Sequence, residues 1–525
     1  MTHHDQDGVA IAAVEKLVQK ANAAQAGLSG FSQQDVDRVC ERMARLGFES
    51  ANKLAIMAVE ETGIGIVRDK VVKNEFATRT VWNHIKNLRT VGFISDDPAR
   101  RVSEIAVPLG VIAGLLPTTN PTSTAMFKAL IAVKSRDSIV FSPHPRAARC
   151  SMEAARIMNA AAVEAGAPDG LVSCLETVTM EATDALIHHK LVAAILATGG
   201  TAMVRAAYSS GKPAFGVGPG NVPAFIERTA NVRQAAADIL ASKTFDNGTV
   251  CASEQAIVTE SAIEHEVLGE LEAQGAYLCD AQEQAALERV VIRPGGGVNP
   301  DVVGKSAPHI AGLAGIRVPE GVRALLVRYM GVGPEYPLSA EKLCPVLAFY
   351  VEKSWEDACE RCIELLSYGG LGHSLVIHSG NQAVIREFAL RKPVNRIMVN
   401  TPSSQGAIGL TTGLDPSLTL GCGSWGGNIT SDNVGPLHLI NRKRLAYHLG
   451  GMLVTPEYSA AARGSGRPEI GRTSREGGRD GGRDGVRDGG RSGRPQLTQR
   501  EREVLGSMDD ATIVRLVDAA LSDMV

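Results

Sequence analysis

The stretch Lys243 to Gln255, KTFDNGTVCASEQ, places Cys251 directly after a polar turn, where a thiol can act as a nucleophile or fill space as a small buried apolar group. With nine cysteines in the chain, residue type alone does not choose between these readings. Asn120 lies in LLPTTNPTST (Leu115 to Thr124), a polar turn between an apolar strand pattern and a helical one. Its amide can be presented at the strand's C-terminal end or can close an ordinary Asx turn. SIVFSPHPRAA and ILATGGTAMVRAA repeat this strand-turn-helix plan. Their Ser142, His144, Gly199 and Gly200 suit phosphate or ribose contacts near helix N-termini. PAFGVGPGN carries Gly216, Gly218 and Gly220, but not in the order of a dinucleotide fingerprint. SSGKP (Ser209 to Pro213) lacks the first glycine and the final hydroxyl residue of a P-loop, which removes an ATPase reading. RPGGGVNP (Arg293 to Pro300) reads as a loop.

Such turns do chemistry only if strands hold them in line. From about Ile105, short β-rich runs alternate with helical ones, as a parallel, doubly wound α/β sheet requires, and ligands of such sheets sit at the C-terminal ends of strands. Ahead of it, Ala10 to Val67 shows helical spacing of apolar residues until Gly63 and Gly65 interrupt it. Beyond Ala241 a second α/β stretch opens with the Cys251 segment and runs to about Asn428, with VLAFYV and SLVIH as strands. The expected division is a first domain over 1–240 with a helical N-terminal segment, a second over 241–430 that carries Cys251, and a return segment over 431–460 that packs on the first domain. A linker then covers 461–497 and a docking helix 498–525.

At 525 residues with 44% hydrophobic, 21% charged and 4% aromatic content, the chain has material for more than one core. A formal net charge of −3 gives no electrostatic reason for the folded body to bind nucleic acid or an anionic membrane. MTHHDQDGVAIAAVEKL lacks the basic-then-apolar order of an export signal, and the apolar run Ile105 to Leu116 is broken by Pro108, Gly110 and Gly114. Scattered cysteines in odd number fit reduced thiols in a cytosolic setting. Cys359 and Cys362 lie in an amphipathic helix pattern without a second ligand pair, so no metal is expected.

Past Pro456 the composition changes. Gly464 to Pro495 is dominated by Gly and Arg, with GGRD, GGRD, GVRD and GGRS in succession, a flexible-linker composition whose rival is an RNA-binding arginine-glycine segment. Asp480, Asp484 and Asp488 offset the arginines and favour the linker. Thr498 and Glu501 have capping-box spacing, and Ile513, Leu516, Val517, Ala520, Leu521 and Met524 then make one apolar stripe. A tethered amphipathic helix without its own core fits docking to a partner surface.

In order, LLPTTNPTST, SPHPRAA, LATGG, KTFDNGTVCASEQ, EKLCPVLAFY, NTPSSQGAIG and TLGCGSWGGN resemble the CoA-acylating branch of the aldehyde dehydrogenase superfamily, across roughly Ala10 to Pro456. The likeness is to the aldehyde dehydrogenase half of bifunctional aldehyde/alcohol dehydrogenases and to the enzymes of bacterial microcompartments. It implies an aldehyde dehydrogenase-like fold, a Rossmann-type nucleotide-binding domain beside an α/β catalytic domain. Cys251 then matches the catalytic thiol and Asn120 the amide that holds the developing oxyanion. The turn Leu116, Pro117, Thr118, Thr119, Asn120 and Pro121, with Gly200, Gly218 and Glu341, matches the surroundings of the nicotinamide nucleotide, and Glu341 its ribose. His373 matches a histidine near the active site, with a helix cap or a core histidine as the competing reading.

Hydrolytic relatives carry a water-activating glutamate where this chain has Phe215 to Asn221, FGVGPGN, and many carry a lysine where it has Ser142. The resemblance therefore implies oxidation of a short aldehyde such as acetaldehyde or propionaldehyde to acyl-CoA, with NAD as cofactor and coenzyme A as co-substrate. It further implies a homo-oligomer, and the tail resembles encapsulation peptides that dock enzymes through a helix like Thr498 to Val525 onto a microcompartment shell. The expected location is cytoplasmic, within such a lumen. The alternatives are a hydrolytic enzyme releasing a free acid, and an RNA-binding or scaffold protein acting through the Arg/Gly tail.

Overall fold

The computed structural model describes residues 3–449, with side-chain surroundings from residue 7 onward. The expected linker and docking helix, and the end of the return segment, lie outside the described residues.

The chain begins with helices His3–Gly27, Gln33–Glu49 and Ala51–Thr62, the last ended by Gly63. Helical structure continues beyond Val67, as Val67–Glu75, a π-helical turn Phe76–Thr80 and Val81–Ile85. Two buried lysines, Lys70 and Lys73, come from this extension.

Strands β1 (Gly92–Asp97) and β2 (Val102–Pro108) form an antiparallel pair. Strands β3 (Val111–Leu115), β4 (Ser138–Ser142), β5 (Val172–Cys174), β6 (Val192–Thr198) and β7 (Ala214–Val217) build a five-stranded parallel sheet in the order β5-β4-β3-β6-β7. A second parallel sheet is made by β8 (Val222–Ile226), β9 (Glu254–Glu260), β10 (Ala276–Leu278), β11 (Ala324–Arg328), β12 (Val346–Glu352), β13 (Gly372–His378) and β14 (Val394–Val399). Its order is β10-β11-β12-β9-β8-β13-β14. Strand β15 (Ile440–Ala446) returns to pair antiparallel with β2. The alternating strand and helix patterns thus become two parallel sheets, their strands apolar on both faces because helices cover both.

The run PAFGVGPGNVPAFIE reads as one stretch in sequence, but its halves belong to different sheets. Strand β7 ends at Val217 in the first and β8 starts at Val222 in the second, so the change of sheet precedes the boundary expected at residue 240. Gly218, Pro219 and Gly220 explain the break, since proline has no N–H for a ladder and glycine, with no side chain to pack and more backbone entropy to lose, weakens a strand. In the return segment, Ser135 Oγ donates to Pro436 O at 2.8 Å and the Phe215 and His438 rings meet edge-on at 6.0 Å. The helix Pro121–Lys134 is buried on every side, with Pro121 in its first turn. No helix among the described residues is long and apolar enough to cross a membrane.

Candidate active site

In the five-stranded sheet the chain moves outward from β3 in both directions, so the crevice lies where β3 and β6 are neighbours. Lys128 anchors this point from below: its buried ammonium donates to Leu115 O at 2.7 Å and Leu196 O at 2.8 Å, at the C-terminal ends of the two strands. Burial holds its pKa well below the usual lysine range. Above it opens a cavity of about 220 Å³. Pro117, Thr118, Thr119 and Asn120 line it after β3, Gly199 and Gly200 after β6, and Gly218 after β7, together with His144, Cys251 and Glu341. A side chain at Gly200 or Gly218 would project into open space, so these turns leave a backbone-lined cradle.

Three expected nucleotide residues do not reach the cavity wall. Leu116 and Pro121 are buried in the core, and Ser142 shares a 2.8 Å hydrogen bond with Thr183 Oγ1. His144 reaches the wall while its Nδ1 accepts the Arg146 N–H at 3.1 Å.

Cys251 is delivered by a tight loop. Asp246, Asn247 and Gly248 are consecutively left-handed, with φ of 49°, 53° and 77°, which suits the Asp-Asn-Gly sequence. The buried Asp246 carboxylate fixes this loop: it accepts Ile66 N–H at 2.7 Å, Lys70 Nζ at 3.0 Å, Lys73 Nζ at 2.5 Å and Thr249 Oγ at 2.7 Å. Burial pushes Asp246 up, yet the two ammonium groups hold it below the usual carboxylate range, and burial lowers Lys73 to about 8. Gly65 is required beside it, because a Cβ there would lie 2.0 Å from Asp246 Oδ1. Lys73 also donates to Asn120 Oδ1 at 2.6 Å, which orients the amide so that Nδ2 faces Thr249 O at 3.3 Å on the approach to Cys251.

The second sheet meets this crevice with the N-terminal ends of its strands. Gly220 precedes β8, Cys251 precedes β9, and His373 begins β13. His373 lies in β13 rather than at a helix end, fully buried with both ring nitrogens partnered: its Nε2 lies 3.3 Å from Cys251 Sγ and its Nδ1 3.0 Å from Ser374 Oγ. Ser374 stands opposite Arg396 on β14, whose Nε donates to Ser374 Oγ at 3.4 Å. Glu341 Oε1 accepts Gly220 N–H at 2.9 Å.

Alone among the nine cysteines, Cys251 is not fully buried, and it lines the cavity rather than the outer surface. Desolvation therefore still applies and pushes the thiol up to about 12, Glu341 and Cys422 adding to it and Arg396 opposing. Burial raises Glu341 to about 7, and burial with the Arg396 charge lowers His373 to about 3, so the imidazole is neutral.

Lys73, Ser374 and Arg396 were not among the residues singled out from sequence. Lys73 carries no motif in its helical segment. Arg396 leaves one trace, a cation inside the otherwise strand-like VNRIMV.

Residues 7–281 match the aldehyde dehydrogenase family. The chain belongs to the aldehyde dehydrogenase family. The chain is 50% identical to an acetylating aldehyde dehydrogenase of Geobacillus thermoglucosidasius, with a TM-score of 0.84 over 86% of this chain and 99% of that one. It is 29% identical to a Rhodopseudomonas palustris propionaldehyde dehydrogenase solved with bound propionyl-CoA, with a TM-score of 0.75 over 83% of this chain and 94% of that one. It is also 45% identical to the bifunctional aldehyde-alcohol dehydrogenase of Escherichia coli (strain K12), over 84% of this chain and 50% of that protein. The chain thus spans about half the length of that curated relative.

Proposed function

We propose that the chain oxidises a short-chain aldehyde to its acyl-CoA, and runs the same steps in reverse. The observation that carries this reading is the cavity in which the Cys251 sulfur meets a lysine-pinned Asn120 amide and the backbone turns of Gly200 and Gly218. Cys251 Sγ adds to the aldehyde carbon and holds it first as a thiohemiacetal, then as a thioester. Asn120 Nδ2 rests on Thr119 Oγ1 at 3.1 Å and Thr249 O at 3.3 Å, and one of these long bonds gives way as the amide turns an N–H to the oxygen becoming anionic, an interaction stronger in the transition state than before it. A nicotinamide nucleotide, when bound, supplies the two-electron acceptor; the open cradle at Gly200 and Gly218 and the Glu341 carboxylate fit its ribose and phosphates. The thiol of coenzyme A then takes the acyl group and frees the Cys251 sulfur. Propionyl-CoA bound to the Rhodopseudomonas palustris neighbour supports this acceptor.

Hydrolysis to a free acid is the second reading, favoured by Glu341, the one carboxylate lining the cavity among the described residues. Its Oε1 is already engaged by Gly220 N–H, which sets it as a binding group rather than a free base. NADH formation from acetaldehyde and propionaldehyde, with and without CoA, separates the two. Full turnover requires CoA and vanishes in Cys251→Ala; undiminished NADH formation without CoA establishes hydrolysis. The same series with butyraldehyde gives the chain-length preference.

The sequence of the tail adds a location: docking of Thr498 to Val525 on a shell protein inside a bacterial microcompartment, which would confine a reactive aldehyde. A fluorescent protein carrying Thr498 to Val525 concentrates in shells if this holds and stays diffuse if it does not.

A further inference from the structure

Behind Cys251 a buried side-chain relay runs across two neighbouring strands. Arg396 is enclosed and has no carboxylate within ion-pair distance among the described residues; its donors go to Ser374 Oγ, Ser431 O, Asn433 Oδ1, Gly372 O and Gly421 O. Asp432, the acid nearest to it electrostatically, is engaged by His438 Nε2 at 3.0 Å. The Cys422 thiol is also within hydrogen-bond reach of Arg396, so the cost of burying this guanidinium without a carboxylate partner among the described residues is offset only by these neutral groups and the thiol.

Ser374 Oγ has two hydrogen-bond neighbours among the described residues, Arg396 Nε at 3.4 Å and His373 Nδ1 at 3.0 Å. Arginine can only donate, so one Oγ lone pair receives Nε–H. The serine's own proton then has a single acceptor in reach, His373 Nδ1. If Nδ1 carried the imidazole proton instead, two donors would converge on Oγ and the buried hydroxyl proton would have no partner, a loss comparable to a broken hydrogen bond. A neutral imidazole that accepts at Nδ1 carries its proton on Nε2, and Nε2 is 3.3 Å from Cys251 Sγ.

We infer that Arg396 and Ser374 are positioning residues that lock His373 as the Nε2–H tautomer, so that His373 donates a hydrogen bond to the Cys251 thiolate instead of taking a proton from a thiol. This rests on Cys251 being the reacting thiol of the proposed function. In that role His373 stabilises the Cys251 thiolate as nucleophile and again as leaving group when coenzyme A removes the acyl group. Coenzyme A then attacks as its thiolate, its proton already given to solvent water, and the acyl carbon's bond to Cys251 Sγ breaks to release the Cys251 thiolate. The charged or titratable groups facing Cys251 are Glu341, Cys422 and Arg396, and those facing His373 are Arg396 and Cys251.

The test is the rate of iodoacetamide alkylation of Cys251 in the full chain from pH 6 to pH 10, without nucleotide or CoA, with Cys251→Ala as the blank. Because no turnover is needed, a chain that fails to make acyl-CoA still reports the relay. His373→Gln, which keeps a side-chain N–H but cannot accept a proton, holds the alkylation rate at pH 8 within about threefold of wild type. His373→Ala drops it about tenfold, the equivalent of one unit in thiol pKa. Ser374→Ala and Arg396→Met lower the rate in the same direction, and Ser374→Thr and Arg396→Lys recover part of it. A His373→Gln rate as low as that of His373→Ala, or a Ser374→Ala profile superimposable on wild type, overturns the inference. If the Arg396 variants do not fold, as melting shows, the His373 and Ser374 pairs decide alone.

Discussion

Lys73 does three things with one ammonium group: it neutralises Asp246, bonds Thr249 Oγ at 2.9 Å and pins the Asn120 carbonyl at 2.6 Å. Removing it leaves the Asp246 carboxylate with Lys70 as its remaining cation and frees the Asn120 amide to turn. Lys73→Met should therefore lose about 3 kcal/mol of stability, as removal of one partner from a buried ion pair does. It should also slow acylation about a hundredfold, the usual cost of a lost oxyanion donor. Melting and single-turnover NADH formation measure these. Alkylation of Cys251 by iodoacetamide, which develops no oxyanion, should change little. Cys251 and Asn120 were singled out in the sequence because their turns lie in motifs that resemble those of a known family, the Asn120 turn after strand β3 and the Cys251 loop ahead of β9. Lys73 was not, since it comes from a helix whose sequence shows only amphipathic spacing and reaches Asn120 from 47 residues away.

At the scale of elements, the site is a meeting of opposite strand ends, the C-terminal ends of β3, β6 and β7 facing the N-terminal ends of β8, β9 and β13. Sequence reasoning anticipated the first set from the rule for open parallel sheets. It gave no means of placing the second, which depends on how the two sheets are juxtaposed. The crossover Gly218 to Asn221 serves both sheets and passes close to the Cys251 loop: a Cβ on Gly220 would lie 2.3 Å from Cys251 O and 3.1 Å from the His373 ring. Backbone cannot retreat as a flexible side chain can, so Gly220→Ala should displace the thiol from His373. The expected result is a fall in turnover of more than about tenfold, because small misplacements at a reacting centre are costly. Melting by circular dichroism should shift far less than turnover does.

Across the whole molecule, the folded body over residues 3–449 contains every residue assigned to the chemistry, while the Arg/Gly stretch and the apolar stripe lie outside the described residues. Deleting Gly464 to Val525 should leave CoA-dependent turnover within about twofold, since a self-contained core folds without an appended segment. The same deletion should abolish recruitment to shells in cells that make them. Loss of turnover would show that the tail belongs to the catalytic unit. The sequence by itself determined the α/β class, from a local alternation of strand and helix patterns, and it singled out Cys251, Asn120 and the stretch Phe215 to Asn221 through ordered motifs that resemble one family. The tertiary structure alone decided that β7 and β8 belong to different sheets, that Ser142 turns away from the cavity, and that Lys73, Ser374 and Arg396 support the reacting groups. These depend on contacts between residues far apart in the chain, and on burial that turns ordinary side chains into fixed charges and aimed hydrogen bonds.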